Sequence, residues 1–176
     1  APAAEGFLKL SYVHVQLAPT PQLPSMATAK HVRLDCGGTT ILRKVATTSR
    51  DASVWTDGQP RVHKNEEVTM LTDVGAFVWV RDARGYEGYL QKQFLVGFQA
   101  TVKRSDATTS TLLRNEPSHE RSDRVWIAGK PSVENGDDIT VLRWAASIGS
   151  GEPFAWISAP AAEGFLKLSY VHVQLA

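Results

Sequence analysis

Hydrophobic positions along this chain recur at every second residue, in short runs bounded by glycine, asparagine, aspartate or proline. VTML at Val68–Leu71, FVWV at Phe77–Val80, ITVL at Ile139–Leu142 and FAWI at Phe154–Ile157 are rich in β-branched and aromatic residues. Runs of this length and composition predict β-strands. No segment sustains a 3.6-residue apolar period, so no helix is expected beyond a single 3₁₀ turn near Gln91–Gln93 and its counterpart near Lys167–Ser169. In FVWV the alternation puts Val78 and Val80 on one face and Phe77 and Trp79 on the other; FAWI repeats this with Ala155 and Ile157 opposite Phe154 and Trp156. Small aliphatic residues suit the inside of a tight barrel. The paired aromatics then form either a flank packed by a loop or an exposed recognition surface.

The runs also repeat. TILRK at Thr40–Lys44 aligns with TLLRN at Thr111–Asn115, a shift of 71 residues. At that shift Val54-Trp55 meets Val125-Trp126, Val62 meets Val133, and NEEVTML (Asn65–Leu71) meets GDDITVL (Gly136–Leu142). The shift then grows to 76–77, where FVWV faces FAWI and YEGYLQKQFLV (Tyr86–Val96) faces AEGFLKLSYVH (Ala162–His172). A five- or six-residue insertion accounts for the growth, and ASIGSGEP at Ala146–Pro153 has the glycine, serine and proline content of a loop. Asn135-Gly136 is a tight-turn signal because both positions tolerate positive φ. Two modules of one kind are therefore expected, at residues 29–97 and 98–176, with a proline-rich linker at 19–28.

A second repetition is exact in letters: residues 1–18 and 159–176 are both APAAEGFLKLSYVHVQLA. Since the later copy closes the second module, the earlier one is expected to be the tail of a preceding repeat or a strand donated to another molecule. Its assembly residues would be Phe7, Leu8, Leu10, Tyr12, Val13 and Val15. An orphan edge strand seeks a sheet, and a head-to-tail contact propagates when it does not close. The rival source is an extension placed before Met26.

Composition narrows the functional classes. With 19 basic and 18 acidic residues the net charge is +1, which gives no overall field for nucleic acid or an anionic membrane. One cysteine, Cys36, excludes an internal disulfide framework and a multi-cysteine zinc site. No apolar run approaches the roughly 18 residues of a membrane-spanning helix, and the chain reads as soluble. Glu134, Asp137 and Asp138 read as a solvated hairpin tip, because a calcium loop needs more oxygen ligands in fixed order. Neither a metal nor another cofactor is expected. Cys36-Gly37-Gly38 and Ser118-His119-Glu120 are weak catalytic signals, since neighbours in an extended chain point to opposite faces; no enzyme is expected. Trp55 and Trp126 repeat at one position and read as structural aromatics. Trp144 aligns with Asp73 and reads as surface or module–module contact.

The order TILR, a long polar loop, VW, an acidic turn into VTML, then FVWV, a glycine turn, EGYL and QFLV resembles a Src-homology-3 (SH3) domain, and is most similar to the bacterial-type subfamily. TLLRNEPS at Thr111–Ser118 matches the L-x-R-x-x-P-S opening of that subfamily, while EGYL…FL and EGFL…YV match its ending. The resemblance implies an all-β chain of two tandem SH3-like small barrels. It places Phe77 and Phe154 where the family has the first groove tryptophan, and Phe94 and Tyr170 where it has the last groove tyrosine. Trp79, Tyr86 and Trp156 complete the candidate groove residues. Gln91 and Lys167 stand in place of the groove proline, and no A-L-Y-D-Y motif precedes TILR or TLLR. The function expected is a non-catalytic structural or scaffolding repeat joined head to tail in an array or filament, with protein partners through self-association or neighbouring repeats. The alternative is a targeting module that binds a proline-rich peptide or a glycan. PTPQLP at Pro19–Pro24 is itself a polyproline-type segment, read first as a stiff linker.

Overall fold

The computed structural model describes residues 27–33, 36–106 and 110–175. The assembly residues Phe7, Leu8, Leu10, Tyr12, Val13 and Val15, and the segment Pro19–Pro24, lie outside the described residues.

One strand order is built twice. The first repeat contains β1 (Thr28–His31), β2 (Thr39–Ile41), β3 (Arg61–His63), β4 (Glu67–Val74), β5 (Phe77–Arg81), β6 (Glu87–Gln91) and β7 (Leu95–Val96). The second contains β8 (Phe98–Val102), β9 (Ser110–Leu112), β10 (Ser132–Glu134), β11 (Asp138–Ala145), β12 (Phe154–Ser158), β13 (Glu163–Lys167) and β14 (Val171–Val173). Each repeat has an antiparallel five-stranded sheet, in order β6-β5-β4-β1-β7 and β13-β12-β11-β8-β14, and a two-stranded ribbon, β2-β3 and β10-β9. The chain is all-β, as its alternation predicts. Among the described residues no sheet closes into a barrel; just beyond each ribbon a single bridge reaches the larger sheet, from Arg43 to Tyr89 and from Arg114 to Phe165.

The expected faces are present. Val78, Val80, Ala155 and Ile157 are fully buried, and Phe77 and Phe154 are buried on the opposite side, whereas Trp79 and Trp156 are half-buried. Irregularities fall at one place in both sheets, between Met70 and Thr72 and between Val141 and Arg143. Such bulges sharpen the local twist and re-aim the strand end. The expected 3₁₀ turns lie one residue later, at Lys92–Phe94 and Leu168–Tyr170. Among the described residues three more occupy loops at Cys36–Gly38, Ala52–Val54 and Asp123–Val125, which are too short to leave a period in the sequence.

The repeats are not beads on a string. Only Gly97, with φ +73°, separates β7 from β8, and its N–H donates to the Val141 carbonyl across the junction at 2.8 Å. Most of the buried apolar side chains of both repeats form one contiguous cluster, with members from Ala29 to Val173. A repeat of about 70 residues has a marginal core by itself. Joining the two interiors removes further apolar surface from water.

Candidate functional site

The junction is built from positions that correspond by the repeat. Asp73 and Trp144 occupy the same place near the ends of β4 and β11. Asp73 accepts the Val173 N–H at 2.7 Å and the Lys92 ammonium at 3.0 Å, and Lys92 also donates to the Val171 carbonyl at 2.8 Å. Reciprocally, the Trp144 indole N–H donates to the Leu95 carbonyl at 2.7 Å. Each repeat thus presses the end of its long strand onto the last strand of the other. This is the isologous pattern, which closes on itself rather than propagating. The Lys92 side chain is 2% exposed, and burial pushes its ammonium below the usual lysine range while Asp73 pulls it back.

Beside this junction a cleft of about 640 Å³ opens between the repeats. Its first wall is Val32, Phe94 and Val96; its second is Leu142, Trp144 and Pro153 with the loop between β11 and β12. Arg33 lies at 4.7 Å over the Phe94 ring on the first wall. The loop at 146–153 is the insertion read from the sequence, against two residues, Gly75 and Ala76, between β4 and β5. It is fastened down: Ile148 N–H donates to Pro117 O at 2.7 Å, His119 Nε2 lies 3.0 Å from Glu152 O, and the Glu152 carboxylate accepts Ser169 N–H at 2.9 Å. The surface of the second repeat that corresponds to the first wall, at Lys103, Ser169, Tyr170 and His172, has a hollow of only about 150 Å³. The insertion is what makes the two ends of the junction different.

A second depression, about 290 Å³, lies in the second repeat between β9 and β13. Its cationic lining is Arg104, Arg114, Arg121 and Lys167, beside Trp126, Phe165 and Tyr170. Arg114 is buried, donates to the Ser118 and Glu120 carbonyls at 2.5 and 2.6 Å, and lies 4.4 Å over Trp126. Arg104 lies 4.9 Å over Tyr170 and pairs with Asp106. The first repeat reproduces this set. Arg43 lies 4.5 Å over Trp55 and donates to the Thr47 and Ser49 carbonyls, Arg33 covers Phe94, and Arg50 corresponds to Arg121.

The groove residues expected from the resemblance do not assemble in one place. Phe94 lines the cleft between the repeats, and Tyr170 lines the basic groove. Trp79 packs edge-on against Tyr89 at 4.7 Å and donates to Glu87; Trp156 does the same with Phe165 at 4.8 Å and Glu163. Phe77 and Phe154 are core, and Phe154 packs at 4.7 Å against His119. Tyr86 is exposed in the β5–β6 turn under Arg84. Trp55 and Trp126 are half-buried beneath arginines. Ser118, His119 and Glu120 do not converge: the Ser118 hydroxyl accepts Glu120 N–H, and the imidazole turns to Glu152. Asp137 and Glu66 cap matching turns by accepting Glu134 N–H and His63 N–H, both at 2.8 Å. Among the described residues there is no group of acids, histidines or cysteines that would hold a metal.

Sequence reading missed the arginines. Arg33, Arg43 and Arg50 recur as Arg104, Arg114 and Arg121 at the 71-residue shift, which is a signal the chain carries in plain sight. The net charge conceals it by averaging over the surface.

No family model and no curated protein matches the chain. Among solved structures it is similar to NlpC2 from Trichomonas vaginalis, at 15% identity and a TM-score of 0.32, over 85% of this chain and 49% of that one. It is likewise similar to NlpC1 from Trichomonas vaginalis, at 13% identity and a TM-score of 0.32, over 97% of this chain and 52% of that one. The chain thus spans about half the length of these proteins.

Proposed function

We propose that this chain is a non-catalytic scaffolding unit in which two SH3-like modules, clamped as one body, hold a proline-rich segment in the cleft between them. The cleft carries this reading. Its volume of about 640 Å³ is in the range of small-ligand sites, and its walls are mainly apolar and aromatic, with Phe94 and Trp144 facing it from opposite modules. A polyproline helix presents apolar rings on a stiff backbone and loses little entropy on docking. The chain carries such a segment in Pro19–Pro24, so the first occupant to test is the segment of a neighbouring copy. A synthetic peptide covering residues 17–26 is expected to change Trp144 fluorescence saturably, and to lose the effect when Pro21 and Pro24 are alanine. A Trp144→Phe control identifies the reporter. A flat titration at millimolar peptide contradicts the reading.

A second reading, assembly by strand exchange, is favoured by one observation. The segment Glu163–Val173 supplies β13 and β14, and the identical residues of the leading copy offer the same partners to Lys92 and Asp73. Exchange of an identical element costs little in contacts. Deletion of residues 1–18 is then expected to reduce the assembled mass by light scattering; an unchanged mass removes this reading.

A further inference from the structure

We propose that the groove between β9 and β13 is a separate site for an extended acidic peptide, whose carboxylates meet Arg121 and Lys167. This inference is independent of the cleft and of any proline-rich ligand.

Three cations in the groove have no carboxylate partner among the described residues. Arg114 spends its hydrogen bonds on the neutral carbonyls of Ser118 and Glu120. Arg121 is exposed. Lys167 lies 5.7 Å over Tyr170. Arg104 is different, because Asp106 pairs with it. The crowding is felt at Lys167: burial first, then Arg114, Arg121 and Arg104, push its ammonium below the usual range, with only Glu152 opposing them. The Glu152 carboxylate is itself held by the N–H and hydroxyl of Ser169. Like charges gathered without counter-ions are relieved by an incoming anion, and guanidinium groups match carboxylates in geometry as well as charge.

Backbone geometry favours a peptide over other polyanions. In the β12–β13 pair Phe165 points its N–H and carbonyl away from β12, since both bond to Arg114 at 2.8 and 3.2 Å. Lys167, two residues on, has the same orientation; its carbonyl opens the 3₁₀ turn at Leu168–Tyr170, so its N–H is the strand-edge group that borders the groove beyond that bridge. Among the described residues β9 pairs only with β10. An extended chain finds a strand edge there, the usual means of peptide capture by a sheet. The rings a base would stack on are already engaged by cations: Arg114 lies over Trp126, and Arg104 and Lys167 lie over Tyr170. Binding to single-stranded nucleic acid depends on such faces for stacking.

The first repeat provides an internal comparison. It keeps Arg43, Arg50 and Trp55 but has Gln91 in place of Lys167. Arg43 is likewise held below its ordinary range by burial, then by Arg33 and Arg50. The first-repeat groove should therefore bind the same ligand more weakly.

The test is a titration of the whole chain with a short oligoglutamate peptide at low and at physiological salt, read by chemical shifts of Lys167 and its neighbours. Saturable, salt-sensitive binding is expected, weakened about tenfold by Arg121→Glu, a change of one charge-assisted contact. Because Arg121 is exposed, the variant keeps its fold, which circular dichroism verifies. Lys167→Gln should lower the affinity toward that of the first repeat, and Gln91→Lys should raise the first repeat's affinity. Absence of saturable binding, an Arg121→Glu affinity equal to the parent's, or tighter binding of a heparin fragment or a single-stranded oligonucleotide at the same salt would each overturn the proposal.

Discussion

Replacing Asp73 by alanine is expected to lower the unfolding free energy by about 3–5 kcal/mol, the usual loss when one member of a buried ion pair is removed. Asp73 satisfies two groups at once, the Lys92 ammonium and the Val173 N–H, and both belong to the junction. Its removal leaves an ammonium on a side chain 2% exposed with the Val171 carbonyl as its remaining partner. The reverse change, Lys92→Leu, should cost less. Asp73 is 13% exposed and keeps the Val173 N–H, and leucine is what the second repeat has at the corresponding position, Leu168. Urea denaturation of the two variants decides the order. Equal losses, or a larger loss for Lys92→Leu, contradict the view that Asp73 is the hub of the junction.

The other large effect is expected at the glycine of the repeated EGY and EGF motifs. A Cβ on Gly88 would lie 2.8 Å from Leu42 Cβ, 2.8 Å from Thr56 Oγ1 and 2.9 Å from Arg43 O; one on Gly164 would lie 2.5 Å from Ile127 Cδ1 and 2.8 Å from Leu113 Cβ. Here β6 and β13 pass directly under the chain that leads from each ribbon, so the motif glycine is selected by space. Overpacking of this kind typically costs about 1–3 kcal/mol. Gly88→Ala should reach the top of that range because its obstacles are a Cβ, a hydroxyl and a backbone carbonyl. Gly164→Ala should cost less, since the Ile127 tip can rotate away. Thermal unfolding of both variants checks the ranking; a Gly88→Ala protein as stable as the parent means that the ribbon does not sit where it is described.

What the sequence made legible follows from what is local. The alternation in FVWV and FAWI, the EG-aromatic endings and the loop ASIGSGEP each lie within a few residues, and each appears as a strand, a close crossing and an inserted loop. Trp144 was readable as surface or module–module contact because Asp73 at the matching position has no resemblance to it, and its indole bonds across to Leu95. By contrast, β1 was not legible as a strand: TAKH carries a lysine and a histidine, yet β1 lies inside its sheet, between two neighbours. His31 is fully buried there, with Nε2 2.9 Å from Thr40 Oγ1, while the second repeat has Val102 at the same position. The hub at Asp73 was equally hidden. Lys92 lies 19 residues away from it and Val173 lies 100 away, and no pattern in a single chain announces partners at such separations. The basic grooves were masked differently, by summing charges that the fold distributes unevenly.

The central claim is that the two repeats move as one body through Asp73, Lys92 and Trp144, with a cleft held open between them. Residual dipolar couplings of backbone amides in a weakly aligned medium test it most directly. The account predicts that couplings from β1–β7 and from β8–β14 fit one alignment tensor in the parent protein, and separate in Asp73→Ala. Two tensors of different magnitude or orientation in the parent protein would show that the repeats tumble independently, and neither the clamp nor a fixed cleft would survive that result.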